Sequence, residues 1–200
     1  MHTMTNLMRK KRLMTIFELK AHALATKIPI ITDQALDYIT TYIKTNHVKN
    51  ILEIGGAIGY SAIAFSLLGC HVDTFERDDI RALEAQTWIT DFGADVTLYH
   101  TDALLFDAST LKNYDLIFID AAKAQYQKFF EKYEKNLNPQ GVMICDNINF
   151  HHLNPEEVSR NTRALLRKIE NFKQYLKARS DYETTFYELG DGLSVSKKVK

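Results

Sequence analysis

The feature that most constrains the fold is an alternation of short apolar runs with amphipathic segments, beginning near residue 49. The runs are rich in Val, Ile, Leu and Phe and too short for typical helices, so strands are predicted at 50–54, 71–76, 95–100, 114–120 and 141–145. Helices are predicted between them at 60–68, 79–92 and 125–136. This alternation predicts an α/β fold, a doubly wound parallel sheet with helices on both faces.

Further elements are predicted at both ends of the chain. Apolar residues recur at helical spacing over 13–24, and a second helix is predicted after Thr32, a good N-cap. A long amphipathic helix is predicted over 155–178. After it, Gly190-Asp191-Gly192 lies between two alternating runs and therefore predicts a β-hairpin.

Length and composition are those of an ordinary globular protein. We expect one domain over 1–200, with an N-terminal helical region at 1–46 and a Rossmann-like core at 47–200. The 25 basic and 25 acidic residues balance, so only local patches can indicate an acidic partner. The sequence contains no run of about 18 apolar residues, so no membrane span is expected. Cys70 and Cys145 lie in apolar runs without metal-ligand spacing, which predicts buried thiols in a reducing cytoplasm.

A glycine-rich turn joins the first predicted strand to the next helix. The stretch reads Ile51-Leu52-Glu53-Ile54-Gly55-Gly56-Ala57-Ile58-Gly59-Tyr60-Ser61. Ligands of open α/β sheets bind at the carboxyl ends of the strands, where glycine allows a close approach of the backbone. The glycine spacing differs from the dinucleotide pattern G-x-G-x-x-G, and the Gly-Lys-Ser/Thr of a phosphate-binding P-loop is absent.

Two acidic residues follow the next two predicted strands. Glu76 closes the second strand, where its carboxylate can accept hydrogen bonds from both hydroxyls of a ribose. Asp102, with Ala103, follows the third strand, where a short acid can reach an adenine amino group. Either acid alone could equally be a solvated loop residue or a helix cap. Together with the glycine turn, at three successive strand ends, they favour a nucleoside-containing cofactor.

Oxygen-bearing side chains also follow the fourth and fifth predicted strands. Asp120 ends the fourth strand and Asp146-Asn147 follows the fifth. Adjacent strand ends would bring these hard oxygen ligands together, a set that suits Mg²⁺ or a similar divalent ion. Such an ion would lower the pKa of a substrate hydroxyl, whose proton Lys123 could accept. The alternative is that both acids only cap the following segments and Lys123 is solvated.

The motifs E-I-G-x-x-x-G, the acid after strand two and the aspartate after strand three resemble those of class I S-adenosylmethionine-dependent methyltransferases. This resemblance implies strand order 3-2-1-4-5-7-6 with the last strand antiparallel, which the predicted hairpin fits. It also implies that S-adenosylmethionine is the cofactor. The implied cofactor-binding residues are Glu53, Gly55, Gly59, Tyr60, Ser61, Glu76, Asp102, Ala103 and Asp120.

The combination I-D-A-A-K followed by C-D-N resembles the catechol and caffeoyl-CoA O-methyltransferase superfamily. In that superfamily an Asp, Asp, Asn set holds a divalent metal and the lysine of D-x-x-K is the base. The resemblance therefore implies that Asp120, Asp146 and Asn147 bind Mg²⁺ or Mn²⁺. It also implies catalytic roles for Lys123 and Asp120.

A narrower resemblance covers nearly the whole chain and points to bacterial tRNA 5-hydroxyuridine methyltransferases. Besides the glycine turn, it rests on Lys27-Ile28-Pro29-Ile30, Phe118-Ile119-Asp120-Ala121-Ala122-Lys123, Asp146-Asn147 and Gly190-Asp191-Gly192-Leu193. It implies formation of 5-methoxyuridine at the wobble position, with the tRNA anticodon loop as partner and a homodimer as the assembly. Gly56 departs from the pattern, because that group is expected to carry threonine there, close to the methionine part of the cofactor.

An RNA substrate would need phosphate contacts. One face of the long predicted helix offers Arg160, Arg163 and Arg167, which could also be ordinary solvated charges. The aromatic residues at 150–152 could stack on a flipped base, or could be core and loop positions. Two other functions stay open: a small-molecule catechol-type O-methyltransferase, and a non-catalytic RNA- or nucleotide-binding domain.

Overall fold

The computed structural model describes residues 15–149 and 158–199, and a seven-stranded sheet forms its centre. The strands are β1 (Asn50–Ile54), β2 (His71–Glu76), β3 (Val96–His100), β4 (Tyr114–Ile119), β5 (Leu137–Cys145), β6 (Tyr182–Tyr187) and β7 (Leu193–Lys198). Their order is β3-β2-β1-β4-β5-β7-β6. Strands β1 to β5 pair in parallel, whereas β7 is antiparallel to both of its neighbours. The predicted order and the antiparallel last strand are confirmed.

Helices cover both faces of this sheet. They are α1 (Ile16–Ala25), α2 (Asp33–Thr45), α3 (Tyr60–Ser66), α4 (Asp79–Phe92), α5 (Tyr126–Tyr133) and α6 (Arg160–Ala178). Neighbouring residues of a strand point to opposite faces, so Ile51 packs in the cluster that contains Phe65 of α3, and Leu52 packs in the cluster that contains Phe130 of α5. Burial on both faces explains why the central strands are nearly continuous apolar runs.

Several element boundaries differ from the predicted ones. Strand β5 begins at Leu137, four residues before the predicted start; its pairing with β4 shifts register between Tyr114 and Leu116, and Gln140 has φ +64°. The helix predicted over 125–136 is α5 flanked by two short 3-10 turns. Helix α6 begins at Arg160, where the Ser159 side chain accepts the N-cap hydrogen bond; residues 155–157 of the prediction lie outside the described residues.

The N-terminal helices are defined by their caps. Thr15 and Glu18 form a capping box at the start of α1, and Thr32 caps α2 as predicted. Of the apolar residues that recur at helical spacing in α1, Leu19 is buried, whereas Phe17 is 77% exposed and Leu24 is 62% exposed. The first helix therefore presents an apolar outer surface as well as a buried one.

Two predictions from composition can be compared with the fold. Cys70 and Cys145 are both buried free thiols, as expected, and burial raises the pKa of each. In the two described ranges, no helix combines the length and the apolar character needed to cross a membrane.

Candidate active site

A cavity of about 540 Å³ opens at the carboxyl ends of the central strands. Most of the residues predicted to form the site line it: Gly55, Tyr60, Ser61, Glu76, Asp102, Ala103, Asp120, Lys123 and Asn147. Three others are buried outside this wall: Glu53, Gly59 and Asp146. The loop Pro29–Thr32 before α2 closes one side. The structure thus brings the predicted cofactor and metal residues to one place.

The glycine turn fastens the end of β1 to both neighbouring strands. The N–H groups of Gly55 and Gly56 both donate to the carbonyl oxygen of Phe75, at 2.9 Å. Gly55 has φ +100°, and a Cβ there would lie 2.2 Å from the carbonyl oxygen of Asp120. A side chain at this position is therefore excluded by backbone conformation and by space.

Glu53 is fully buried beneath this turn. Its carboxylate accepts hydrogen bonds from the hydroxyls of Ser61 and Thr74, both at 2.5 Å. Burial raises the pKa of Glu53 to about 7, although the two hydroxyls act in the opposite direction. A Cβ on Gly56 would lie 2.3 Å from Oγ1 of Thr74. Thr74, which the sequence analysis missed, thus fills the space that a side chain at position 56 would need.

Glu76 is held by backbone donors from two segments. Its Oε2 accepts from the N–H of Ala57 at 2.9 Å, and its Oε1 accepts from the N–H groups of Arg77 and Asp78 at 2.8 Å. These bonds fix the carboxylate at the cavity wall and leave acceptor capacity for further hydroxyl donors.

Asp102 and Ala103 form the part of the wall that follows β3. Oδ1 of Asp102 accepts from the N–H of Leu104 at 2.8 Å, and Oδ2 accepts from Arg77 at 3.4 Å. Ala103 is buried, and its carbonyl oxygen accepts a hydrogen bond from the hydroxyl of Tyr133 at 2.6 Å. The segment is therefore anchored to α5.

Asp120 and Asp146 stand side by side because strand pairing continues past the ends of β4 and β5. The N–H of Asp120 donates to Ile54 at 3.0 Å, and that of Asp146 donates to Ile119 at 3.1 Å. Burial raises the pKa of both carboxyls above the ordinary range, and the charge of Asp120 raises that of Asp146 further. The two acids thus form an electrostatically unfavourable pair that a cation would relieve.

The Asp146 carboxylate also has an unmet hydrogen-bonding requirement. Its Oδ1 accepts from the N–H of Asn147 at 2.7 Å, whereas Oδ2 is buried and finds no partner in the described part of the chain. No group of three or more His, Cys, Asp and Glu side chains suited to a metal occurs within 15–149 and 158–199. The candidate ligands predicted from the sequence are two carboxylates and the amide oxygen of Asn147, all oxygen donors.

Two further charged residues lie at this end of the cavity. Lys123, in the 3-10 turn Lys123–Gln125, lowers the pKa of both Asp120 and Asp146 by its charge. Asp191, in the turn between β6 and β7, raises the pKa of Asp120 and also lines the cavity. In the sequence, Asp191 is recognisable only as a residue of the Gly190-Asp191-Gly192 turn, because nothing local relates it to Asp120.

The predicted RNA-binding arginines lie elsewhere. All three are exposed on α6: Arg160, Arg163 and Arg167. They are on the side opposite the buried Ile169 and Phe172, and they are not among the described residues that line the cavity. The residues predicted to stack on a base, 150–152, lie outside the described residues.

Comparisons with known proteins are consistent with this geometry. A family model described as O-methyltransferase matches residues 4–199. A candidate caffeoyl-CoA O-methyltransferase from Staphylococcus aureus is 36% identical, with a TM-score of 0.87 and 92% of each chain covered. An O-methyltransferase from Bacillus cereus in complex with SAH is 23% identical, with a TM-score of 0.78, and 92% of this chain and 90% of that chain are covered. An SAH-bound methyltransferase from Podospora anserina is 19% identical, with a TM-score of 0.81 and coverage of 92% and 88%. The last two show the fold alone.

Proposed function

The chain belongs to the O-methyltransferase family, and we propose that it transfers a methyl group from S-adenosylmethionine to a hydroxyl oxygen in the cavity described above. The observation that carries this proposal is that one cavity is lined both by a glycine turn with two anchored acids and by Asp120 with Lys123, next to the buried Asp146. The first group is suited to a nucleoside and the second to deprotonating a hydroxyl.

The methyl donor is proposed to lie along the strand ends. Glu76 accepts hydrogen bonds from the ribose hydroxyls, because its carboxylate is fixed at the wall with acceptor capacity left. Asp102 and Ala103 receive the adenine. The methionine end lies against the glycine turn, which Glu53 and Ser61 support from beneath, with Tyr60 and Asp120 beside it.

We propose Asp120, Asp146 and Asn147 as the ligands of a Mg²⁺ or Mn²⁺ ion. The buried, unpartnered Oδ2 of Asp146 and the raised pKa values of both acids fit a cation at this place. When bound, the ion supplies positive charge that lowers the pKa of the substrate hydroxyl. Lys123 acts in its neutral amine form, in which it accepts the proton from that hydroxyl and becomes an ammonium, and the site orients the oxygen in line with the methyl group.

The acceptor that we propose is 5-hydroxyuridine at the tRNA wobble position, giving 5-methoxyuridine. Its 5-hydroxyl is enol-like and next to the C4 carbonyl, so the base offers two adjacent oxygens to a hard cation. An anticodon loop presents unstacked bases that can enter a cavity. The exposed arginines of α6 would contact the phosphates.

A small-molecule acceptor of the catechol type is the second candidate. It is favoured by the Staphylococcus aureus relative, which is described as a candidate caffeoyl-CoA O-methyltransferase. A catechol also presents two adjacent oxygens, so the same acid pair could serve both substrates. A purely RNA-binding function is less consistent with the site, since binding alone does not require a buried acid pair beside Lys123.

The assembly is proposed to be a homodimer. Phe17 and Leu24 of α1 and Ile80 and Leu83 of α4 are all more than half exposed, which supports an apolar contact surface in this region. Light scattering should give twice the mass of one chain at micromolar concentration. A monomer mass would contradict this proposal.

The test compares acceptors with one purified protein. We expect nucleoside mass spectrometry to show 5-methoxyuridine when tRNA carrying 5-hydroxyuridine is supplied with S-adenosylmethionine and Mg²⁺, and no product with excess chelator. Joint charge reversal of Arg160, Arg163 and Arg167 should weaken tRNA methylation and its salt dependence but leave binding of S-adenosylhomocysteine unchanged. Efficient methylation of catechols or caffeoyl-CoA, with none of tRNA, would favour the second candidate.

A further inference from the structure

One buried polar atom of the cavity wall has no role in the site described so far. The side-chain oxygen Oε1 of Gln125 is buried and finds no hydrogen-bond partner within residues 15–149 and 158–199. Gln125 lines the cavity. Buried polar groups are nearly always hydrogen-bonded, so an acceptor without a partner at a cavity wall suggests that a ligand supplies the donor.

The backbone places Gln125 at the start of the face of α5 that borders the cavity. Gln125 ends the 3-10 turn before the helix, and its N–H donates to the carbonyl oxygen of Ala122 at 2.8 Å. Gln125, Phe129 and Tyr133 follow one another at intervals of four residues and therefore share one helix face. Phe129 lines the cavity as well, and the hydroxyl of Tyr133 bonds to Ala103.

This face of α5 is docked on the segment that follows β3. Besides the bond from Tyr133, the ammonium of Lys132 donates to the carbonyl oxygen of Leu104 at 2.6 Å. Gln125 and Asp102 thus belong to two segments that are fastened together and line the same cavity. At the Asp102 side, Oδ1 accepts from Leu104 and Oδ2 accepts from Arg77 at 3.4 Å, so the carboxylate keeps capacity for a further donor.

We propose that Oε1 of Gln125 accepts a hydrogen bond from the amino group of the adenine ring, and that Gln125 makes the site selective for adenine. This inference rests on the proposed function, in which the adenine of S-adenosylmethionine lies beside Asp102 and Ala103. An adenine amino group carries two N–H donors, one for the carboxylate of Asp102 and one for Gln125. The buried ring of Phe129 lines the cavity and supplies apolar surface that suits the face of the purine.

The proposal predicts how the protein binds a ligand that differs from S-adenosylhomocysteine only at the amino group of the purine. In S-inosylhomocysteine the amino group of S-adenosylhomocysteine is replaced by a carbonyl oxygen. In the observed side-chain orientation that oxygen would face Oε1 of Gln125, and two acceptors cannot bond to each other. The wild-type protein should therefore prefer S-adenosylhomocysteine, and part of this preference should depend on Gln125.

The experiment measures the affinities of both ligands by isothermal titration calorimetry. Gln125→Leu should weaken binding of S-adenosylhomocysteine about tenfold, as expected for loss of one buried hydrogen bond, and should leave binding of S-inosylhomocysteine nearly unchanged. Gln125→Glu, which keeps an acceptor oxygen, should retain the preference. The matched control is Gln127→Leu, because Gln127 is exposed on the same helix and bonds only to Glu131.

Each result of these titrations either supports or overturns the proposed role of Gln125. A preference for adenine that is unchanged in Gln125→Leu overturns the proposal, as does an equal weakening of both ligands, which would show a purely structural role. If Gln125→Leu does not fold, the Gln125→Glu and wild-type affinities decide: loss of the preference in Gln125→Glu overturns it. Failure of the wild-type protein to bind S-adenosylhomocysteine would refute the proposed function itself, and this inference with it.

Discussion

Replacing Glu53 with glutamine should remove one part of the pH dependence of stability in the cofactor-free protein. Glu53 is fully buried, and its pKa in the folded protein is about 7 against an ordinary value of 4.5. Because the raised pKa favours the protonated form, folding carries no penalty from this group below about pH 4.5. The free energy of unfolding then falls as the pH rises towards 7 and is constant above it. The full difference corresponds to about 3 kcal/mol.

The assay is urea unfolding without cofactor at about pH 5 and about pH 8. Glu53→Gln should gain about 2.5 kcal/mol relative to wild type between these two conditions, because only the wild type must ionise an acid at position 53, whereas Asp120 and Asp146 titrate in both proteins. The hydrogen bonds that the amide makes to Ser61 and Thr74 do not depend on pH, so their loss or retention cancels in this comparison. Glu183→Gln, at an exposed position of β6, is the matched control and should show no such gain. Parallel pH profiles for wild type and Glu53→Gln would refute the reasoning.

Three further predictions test contacts around and away from the cavity. Gly56→Thr should lower the free energy of unfolding by about 1–3 kcal/mol and weaken S-adenosylhomocysteine binding, because the Cβ of the new threonine would lie 2.3 Å from Oγ1 of Thr74. Adding Thr74→Ala to this variant should restore most of the stability, measured by urea unfolding. Tyr114→Phe, which removes a 2.7 Å bond to the buried Asp73, should cost about 1–3 kcal/mol yet leave kcat/KM unchanged, since neither residue lines the cavity in the described part of the chain. Lys173→Met, which removes a 2.7 Å bond to Asn149, should lower kcat more than Lys177→Met on the same helix does, and equal kcat values would contradict it.

The strands could be predicted because both faces of the sheet are covered, which makes each central strand a continuous apolar run. β4 shows this well: Tyr114–Ile119 is almost wholly buried, and the predicted extension to Asp120 corresponds to a real hydrogen bond from its N–H to Ile54. The early start of β5 was hidden by Pro139, since proline usually argues against a strand, and here it lies where the pairing is irregular. The strand order itself came from the resemblance and not from these local patterns.

For the candidate site as well, some residues could be predicted from the sequence and others could not. Residues that directly follow parallel strands could be predicted, because the carboxyl ends of such strands meet at one edge of the sheet. The roles of Thr74, Gln125 and Asp191 could not be predicted in this way. Each of these residues lies at the site because of the direction of its side chain or because it belongs to a turn that is distant in the sequence. The consequence for Gly56 is also invisible in the sequence: a side chain at this position would require Thr74, on another strand, to move out of the adjacent space.

Helix α6 and the acceptor end of the cavity form one hydrogen-bonded unit. The ammonium of Lys173 donates to Oδ1 of Asn149, and the N–H of Asn149 donates to the carbonyl oxygen of Asp191 at 2.8 Å. Asn149 also packs so tightly on the turn that a Cβ on Gly192 would lie 2.6 Å from its Cγ. The helix that carries the exposed arginines is therefore held in a fixed position relative to Asn147 and the acid pair. A polyanion bound along α6 would be positioned with respect to the reacting oxygen by this connection, an arrangement that a small catechol, contacting only the cavity, would not need.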